Sequence, residues 1–268
     1  MNTSGFLSRL QWFFLSGCLG LFALLYWGFD TKPSDFRIVE RDRALTLRNT
    51  DVSTLIAEAR PSLSVASVSV LSEIEHQLEM DLPNSEKTAL LKELAGHWYE
   101  LGYPSISGAY AEQIGEVEGT AAAWSIAGST YYSGIEKESS EKSRQFSRDG
   151  AIRCFEKAVS LEPENPDHHL NLSLTYTAAP PPDNPMKGVL MLRSLTERFP
   201  QHSPVYTQLG RLAIQTGQYD RAAERLQQAI DLDPENIRAI CLLADTWDKL
   251  GNTERASALY EQCNRNAR

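Results

Sequence analysis

"AAERLQQAIDLDPEN", residues 222–236, closely repeats "AIRCFEKAVSLEPEN", residues 151–165. Ala151 and Ala222 lie 71 residues apart, so two units of about 35 residues explain the spacing better than one isolated duplication. Each phrase puts apolar residues at helical intervals and closes on an acidic residue, Pro, Glu and Asn, which stops the helix. One amphipathic helical hairpin cannot bury its own apolar face. Stacking similar hairpins makes a continuous core, and that is the physical reason for a phrase to recur.

The segments upstream extend the pattern. "WSIAGSTY", residues 124–131, and "YTQLGRLA", residues 206–213, share an aromatic residue, a small residue or Leu before Gly, and an aromatic or Ala at matching slots. These residues resemble the tetratricopeptide repeat (TPR), a helix-turn-helix unit of 34 residues. Placing the rest of the chain in the same slots gives five units, 88–120, 121–165, 166–202, 203–236 and 237–268, of which only the fourth has the standard length. The resemblance implies an all-α TPR α-solenoid.

The slots carry physical requirements. Small residues recur where two backbones cross: Ala95, Gly128, Ser173, Gly210 and Ala244 in first helices, and Ser107, Ala151, Gly188, Ala222 and Ala256 in second helices. Large ones fill the space beside them, with Trp98, Tyr131, Tyr176 and Trp247 opposite Phe155, Leu192, Leu226 and Tyr260. Gly102, Gly217 and Gly251 suit the turns within hairpins, while Pro163, Pro200 and Pro234 end second helices. Upstream, residues 62–80 place Val68, Leu71, Ile74 and Leu78 at helical spacing, and a shorter helix near 51–59 precedes Pro61; residues 51–87 therefore read as capping helices.

Residues 10–29 contain no charged side chain, and at about 1.5 Å per residue a helix of that length matches a hydrocarbon core of about 30 Å. Trp12, Tyr26 and Trp27 stand near its ends, where interfacial aromatics sit. This reads as a transmembrane anchor between a tail at 1–9 and a charged tether at 30–50. "LSGC" at 15–18 offers a second reading, resemblance to a lipoprotein acylation site at Cys18, although the residues after it stay apolar. Arg9 before the span favours export of the remainder, whereas Lys32, Arg37, Arg41 and Arg43 after it favour the opposite sense. The reading adopted is a single-pass inner-membrane protein with an extracytoplasmic TPR domain.

Two units depart from the standard length. The second holds about eleven extra residues within 134–150 and the third about three within 177–188. They read either as tolerated surface length or as a lip beside a ligand groove.

The formal charge of −9 and the absence of a Lys/Arg stripe exclude a nucleic-acid-tracking surface. The four cysteines, at 18, 154, 241 and 263, show no C-x-x-C spacing; the expectation is no disulfide framework, with Cys241 free toward the groove and Cys263 a small buried group. No phosphate-binding or nucleophile-elbow motif occurs, His168 and His169 are helix neighbours that point apart, and the calcium-loop-like "DLDPEN" lacks the needed Gly and Glu. No enzyme, cofactor or metal is expected.

Stacked first helices line a concave face. The candidate partner-binding residues there are Lys92, Tyr99, Ser125, Ser129, Tyr132, Leu170, Leu174, Thr207, Arg211, Ile214, Asp245 and Asp248, with Gly96, Thr177 and Cys241 beside them. This mixed surface suits a protein segment with a few apolar anchors. Only Lys92 fits the basic clamp with which some TPR domains hold acidic chaperone termini, so that role is not expected. The chain is similar to bacterial membrane-anchored TPR scaffolds, a group whose members assist envelope protein assembly, including cytochrome c maturation. Self-association through the last hairpin, whose outer face would be apolar, is the second reading.

Overall fold

The computed structural model describes residues 51–266, which form one compact unit of twelve helices, with no strand among the described residues. The expected tail, anchor and tether at 1–50, Cys18 included, lie outside those residues. No helix within them is long and apolar enough to cross a membrane. Helices α1 (Val52–Ala59) and α2 (Val65–Leu78) flank a short 3-10 turn that contains Pro61. Five hairpins follow: α3 (Asn84–Glu100) with α4 (Pro104–Glu118), α5 (Ala121–Lys137) with α6 (Glu141–Leu161), α7 (Pro166–Ala178) with α8 (Lys187–Arg198), α9 (Ser203–Gln215) with α10 (Tyr219–Leu232), and α11 (Ile237–Lys249) with α12 (Thr253–Asn266).

Close crossings follow from the small-residue slots, all ten of which are buried. A methyl group added at Gly128 would come within 2.8 Å of the Phe155 ring, and one at Gly210 within 2.6 Å of Leu226. Ser107 uses the same closeness to donate to the Ala95 carbonyl at 2.7 Å. The turn glycines Gly217 and Gly251 have φ of 71° and 78°, the left-handed region that lets a helix end tightly.

The final Asn of the repeated phrase has its own role. Asn165 and Asn236 each cap the helix that follows, their side-chain oxygens accepting from the Asp167 and Ala239 amides at 3.1 and 3.0 Å. Asn236 also donates to Ser203 and Thr207 at 2.8 and 2.9 Å, so one side chain starts the fifth hairpin and ties it to the fourth.

Trp124, Tyr131 and Phe155 share one core cluster with Leu172 and Tyr176, which joins units two and three. Leu55, Leu71, Ile74, Trp98 and Ile106 form another, through which α1 and α2 cover the first hairpin.

The second-unit insertion does not make a projecting loop. It lengthens α5 to Lys137 and gives α6 two additional turns, leaving only residues 138–140 between the helices. Those turns are anchored: Phe146 meets the Tyr131 ring edge-on at 5.8 Å, Ser147 is buried, and Lys142 pairs with Glu58 of α1 at 2.6 Å. The third-unit insertion is a turn at 179–186, after which Lys187 sits over the Tyr176 ring, 3.6 Å from its centre.

Two expectations are corrected. Cys241 and Cys263 form a disulfide, because the antiparallel α11 and α12 bring their Cα atoms to 5.2 Å. An odd number of thiols in the array leaves room for one pair; the third, Cys154, is buried and free. The outer face of α12 is polar rather than apolar, with Thr253, Glu254, Ser257, Glu261 and Asn264 exposed. Large exposed apolar side chains do occur among the described residues, but none lies beyond Leu190.

Candidate functional site

Helices α3, α4 and α5 meet around an open cavity of about 270 Å³. The floor is built from short side chains, Ala95, Ser107, Ala111 and Ala123, which lets the three backbones approach while leaving a hollow above them. Tyr99, 42% exposed, and Ile126, 65% exposed, stand on its rim. A second hollow of about 320 Å³ continues along α5 past Ser125, Ser129 and Thr130, sharing Tyr99 and Ile126 with the first. The two form one shallow groove of aliphatic and hydroxyl chemistry.

Charged groups mark its ends. Lys92 pairs with Glu118 at 2.9 Å. At the opposite end Lys137 donates to the Tyr99 hydroxyl at 2.8 Å and lies 4.9 Å from that ring's centre, and Ser133 is 3.1 Å from the same oxygen. Hydrogen bonding from Lys137, then Ser133, holds the Tyr99 phenol below its ordinary value of 10.0. Tyr99 is thereby oriented as a fixed apolar wall with a polar tip.

Further along, Tyr132 is half-buried against the units-two-and-three core. Burial raises its phenol above the ordinary range and Glu136 adds to the effect, whereas the positive charges of Arg211 and Arg238 act against it. Arg211 donates to Gln208 at 2.9 Å. Asp245 accepts from Tyr260 at 2.8 Å, an interaction that pushes that phenol up to about 12. Asp248 is exposed.

The residues expected at the concave face divide into three groups. Lys92, Gly96, Tyr99, Ser125 and Ser129 line the groove of units one and two. Tyr132, Leu174, Arg211 and Ile214 are half-buried, and Asp245 and Asp248 are exposed in the last hairpin. Leu170 and Thr207 are corrections. Leu170 is 5% exposed and packs with Leu192, Leu195 and Val205 in the core joining units three and four. Thr207 is 3% exposed, donating to the Ser203 carbonyl and accepting from Asn236. Cys241 is taken up by its disulfide.

Ile126 is the residue that reading the sequence missed. It follows Ser125 directly, and an isoleucine in an amphipathic helix reads as core. The surrounding Ala and Gly slots were the available signal: first helices this lean at the crossing leave space beside them.

His168 and His169 diverge, the first reaching Glu162 at 3.1 Å and the second the Pro163 carbonyl at 2.7 Å. Among the described residues no group of three or more His, Cys, Asp or Glu is placed to hold a metal ion.

Helical hairpins stacked around a side-chain groove define an all-α repeat array. The model of the tetratricopeptide repeat matches residues 213–267, and the described residues form an all-helical array of stacked hairpins. Among curated proteins, the chain is 23% identical over 108 residues to the small glutamine-rich tetratricopeptide repeat-containing protein 2 of Mycosarcoma maydis, a match covering 40% of this chain and 30% of that protein. Among solved structures, TTC0263, a thermophilic TPR protein in Thermus thermophilus, is 18% identical with a TM-score of 0.49, covering 67% of this chain and 91% of that one. MamA from Desulfovibrio magneticus RS-1 is 16% identical with a TM-score of 0.42, covering 67% and 94%.

Proposed function

We propose that the protein is a membrane-tethered TPR scaffold that holds a segment of a partner protein in the concave groove, serving assembly or quality control of envelope proteins, such as cytochrome c maturation. One observation carries the reading: Ile126 and Tyr99 stand exposed on an open groove floored by alanines and edged by hydroxyls. Two large apolar side chains exposed together at a concave groove offer a place for an apolar partner group to be buried, and the neighbouring Ser125, Ser129 and Thr130 can hydrogen-bond to an extended or helical backbone. The segment that fits brings one apolar side chain to the Tyr99–Ile126 hollow. Its polar flanks run toward Tyr132, Arg211 and the acidic pair Asp245 and Asp248. Binding, not turnover, is the proposed activity.

The proposed anchor is residues 10–29, uncharged throughout, and the charged stretch 30–50 is the tether. Anchoring confines the search for a membrane-bound partner to two dimensions and raises its effective concentration. The polar outer face of α12 favours this reading over self-association through the last hairpin.

Photoreactive residues at positions 130, 132 and 211 in the full chain, irradiated in intact membranes, test the proposal. Capture of the same polypeptide from 130 and 132 supports it. Capture of nothing but lipid, or of a second copy of the chain alone, overturns it. Protease added to cells stripped of their outer layer tests the topology, and cleavage within 51–268 is the expected result.

A further inference from the structure

The last two hairpins are built alike but held differently. Helix α10 buries Ala222, Ala223, Leu226 and Ala229, whereas α12 buries one apolar side chain, Ala256, with Leu259 and Tyr260 only half-covered. Helix α10 is covered by α9 on one side and α11 on the other, whereas among the described residues α12 is packed on α11 alone, so less apolar area holds it in place. The Cys241–Cys263 bond crosses between those two helices, closing a separation of 22 residues.

Its position also bears on the groove. Cys241 follows Arg238 by three residues and precedes Asp245 by four, spacings that put all three on one face of α11. The other end of the hairpin interaction is polar: Tyr260 of α12 donates to Asp245. Whatever fastens α12 to α11 therefore fixes the charged end of the concave face.

We propose that Cys241–Cys263 is a redox lock, made in an oxidising compartment outside the cytoplasm, and that its reduction frees α12 and loosens the charged end of the groove. In forming it, the two thiols give two electrons and two protons to a protein disulfide donor, which leaves as a dithiol. Reduction by a protein dithiol reverses the exchange. Such bonds persist in oxidising compartments and are rare where thiol reductants dominate. Cys154 does not compete: it is buried, and burial pushes its thiol well above the ordinary range, which suppresses the reactive thiolate. The proposal stands independently of which segment occupies the groove.

Two measurements on the full chain test it. Cells are quenched in acid, alkylated with N-ethylmaleimide and digested. The expected product is a linked peptide pair containing Cys241 and Cys263, with both thiols alkylated only after reduction; alkylation of both before reduction overturns the proposal. Amide exchange of the purified chain is then followed with and without dithiothreitol. Reduction should speed exchange of residues 253–266 by tenfold or more, roughly the range expected for removing a cross-link, and leave 121–161 unchanged. The double variant C241S/C263S should exchange like the reduced protein under both conditions. Equal exchange in oxidised and reduced protein, or loss of protection throughout the array, contradicts the lock even if the bond is present.

Discussion

Units one and two and units four and five solve the same packing problem with different materials. The first pair uses Trp98, Trp124, Tyr131 and Phe155, with α6 extended to reach α1; the second uses Ala222, Leu226, Ala229, Ala239 and Leu243 in helices of 13 or 14 residues. Only the aromatic half leaves large apolar side chains, Tyr99 and Ile126, at an open groove. The regular half exposes none and carries a disulfide. A helical hairpin can thus gain stability from bulky cores and extra packing, which frees its inner face for a ligand. It can also gain it from close fit and a cross-link, which leaves that face charged.

The largest effect is expected from cutting the aromatic core. Phe155→Ala should cost about 3–5 kcal/mol, measured by urea denaturation, because the ring is 1% exposed and fills the space above Gly128. Leu226→Ala above Gly210 should cost about 2–5 kcal/mol, with the loss concentrated in units four and five by amide exchange. If both variants loosened the whole array alike, the two halves would not be distinct in how they are held.

Asn236→Ala comes next, at about 1–2 kcal/mol, since it removes a helix cap together with the amide that donates to the buried Ser203 and Thr207 oxygens. Asn165→Ala, which lacks those two partners, should lose about 1 kcal/mol or less, and equal losses would remove the tie assigned to Asn236.

Alkali should weaken the core of units one and two. Burial, reinforced by Glu112 and Glu75, raises the phenols of Tyr131 and Tyr110 above 10.0 in the folded state. A raised folded value gives stability that is fully present below the unfolded phenol range near 10 and is lost as pH climbs above it. Unfolding midpoints should be insensitive to these groups up to about pH 9.5 and fall beyond it. Tyr131→Phe should reduce that dependence.

The smallest effect belongs to Lys92→Ala, an exposed ion pair with Glu118 worth about 0–1 kcal/mol and screened by salt.

Much of this architecture was legible in the chain. The small-residue slots, the turn glycines and the repeated phrase each follow from a local steric demand that a single residue type satisfies. The half of the groove at Lys92, Tyr99, Ser125 and Ser129 could be placed by register alone. Three features could not. Leu170 and Thr207 sit at positions where a small change in helix rotation moves a side chain from the concave face into a junction between units, and unit three has the least typical marker residues. Cys241 and Cys263 are 22 residues apart, and only the crossing of α11 and α12 makes them neighbours. The 134–150 insertion looks like a loop by length and charge, yet Phe146 and Ser147 give it a buried stripe that joins it to α6, and Lys142 docks it on α1.

The central claim is that the groove of units one and two is where a partner segment sits, and Ile126→Glu tests it most directly. The residue is exposed, so the variant should keep its helical circular dichroism and melting temperature. Photocapture from position 130 in intact membranes should fall at least tenfold, because a carboxylate in an apolar contact loses more than the tenfold that about 1.4 kcal/mol represents. Undiminished capture by the Ile126→Glu chain, with capture abolished by Arg238→Glu in the last hairpin, would place binding in the charged half and contradict the claim.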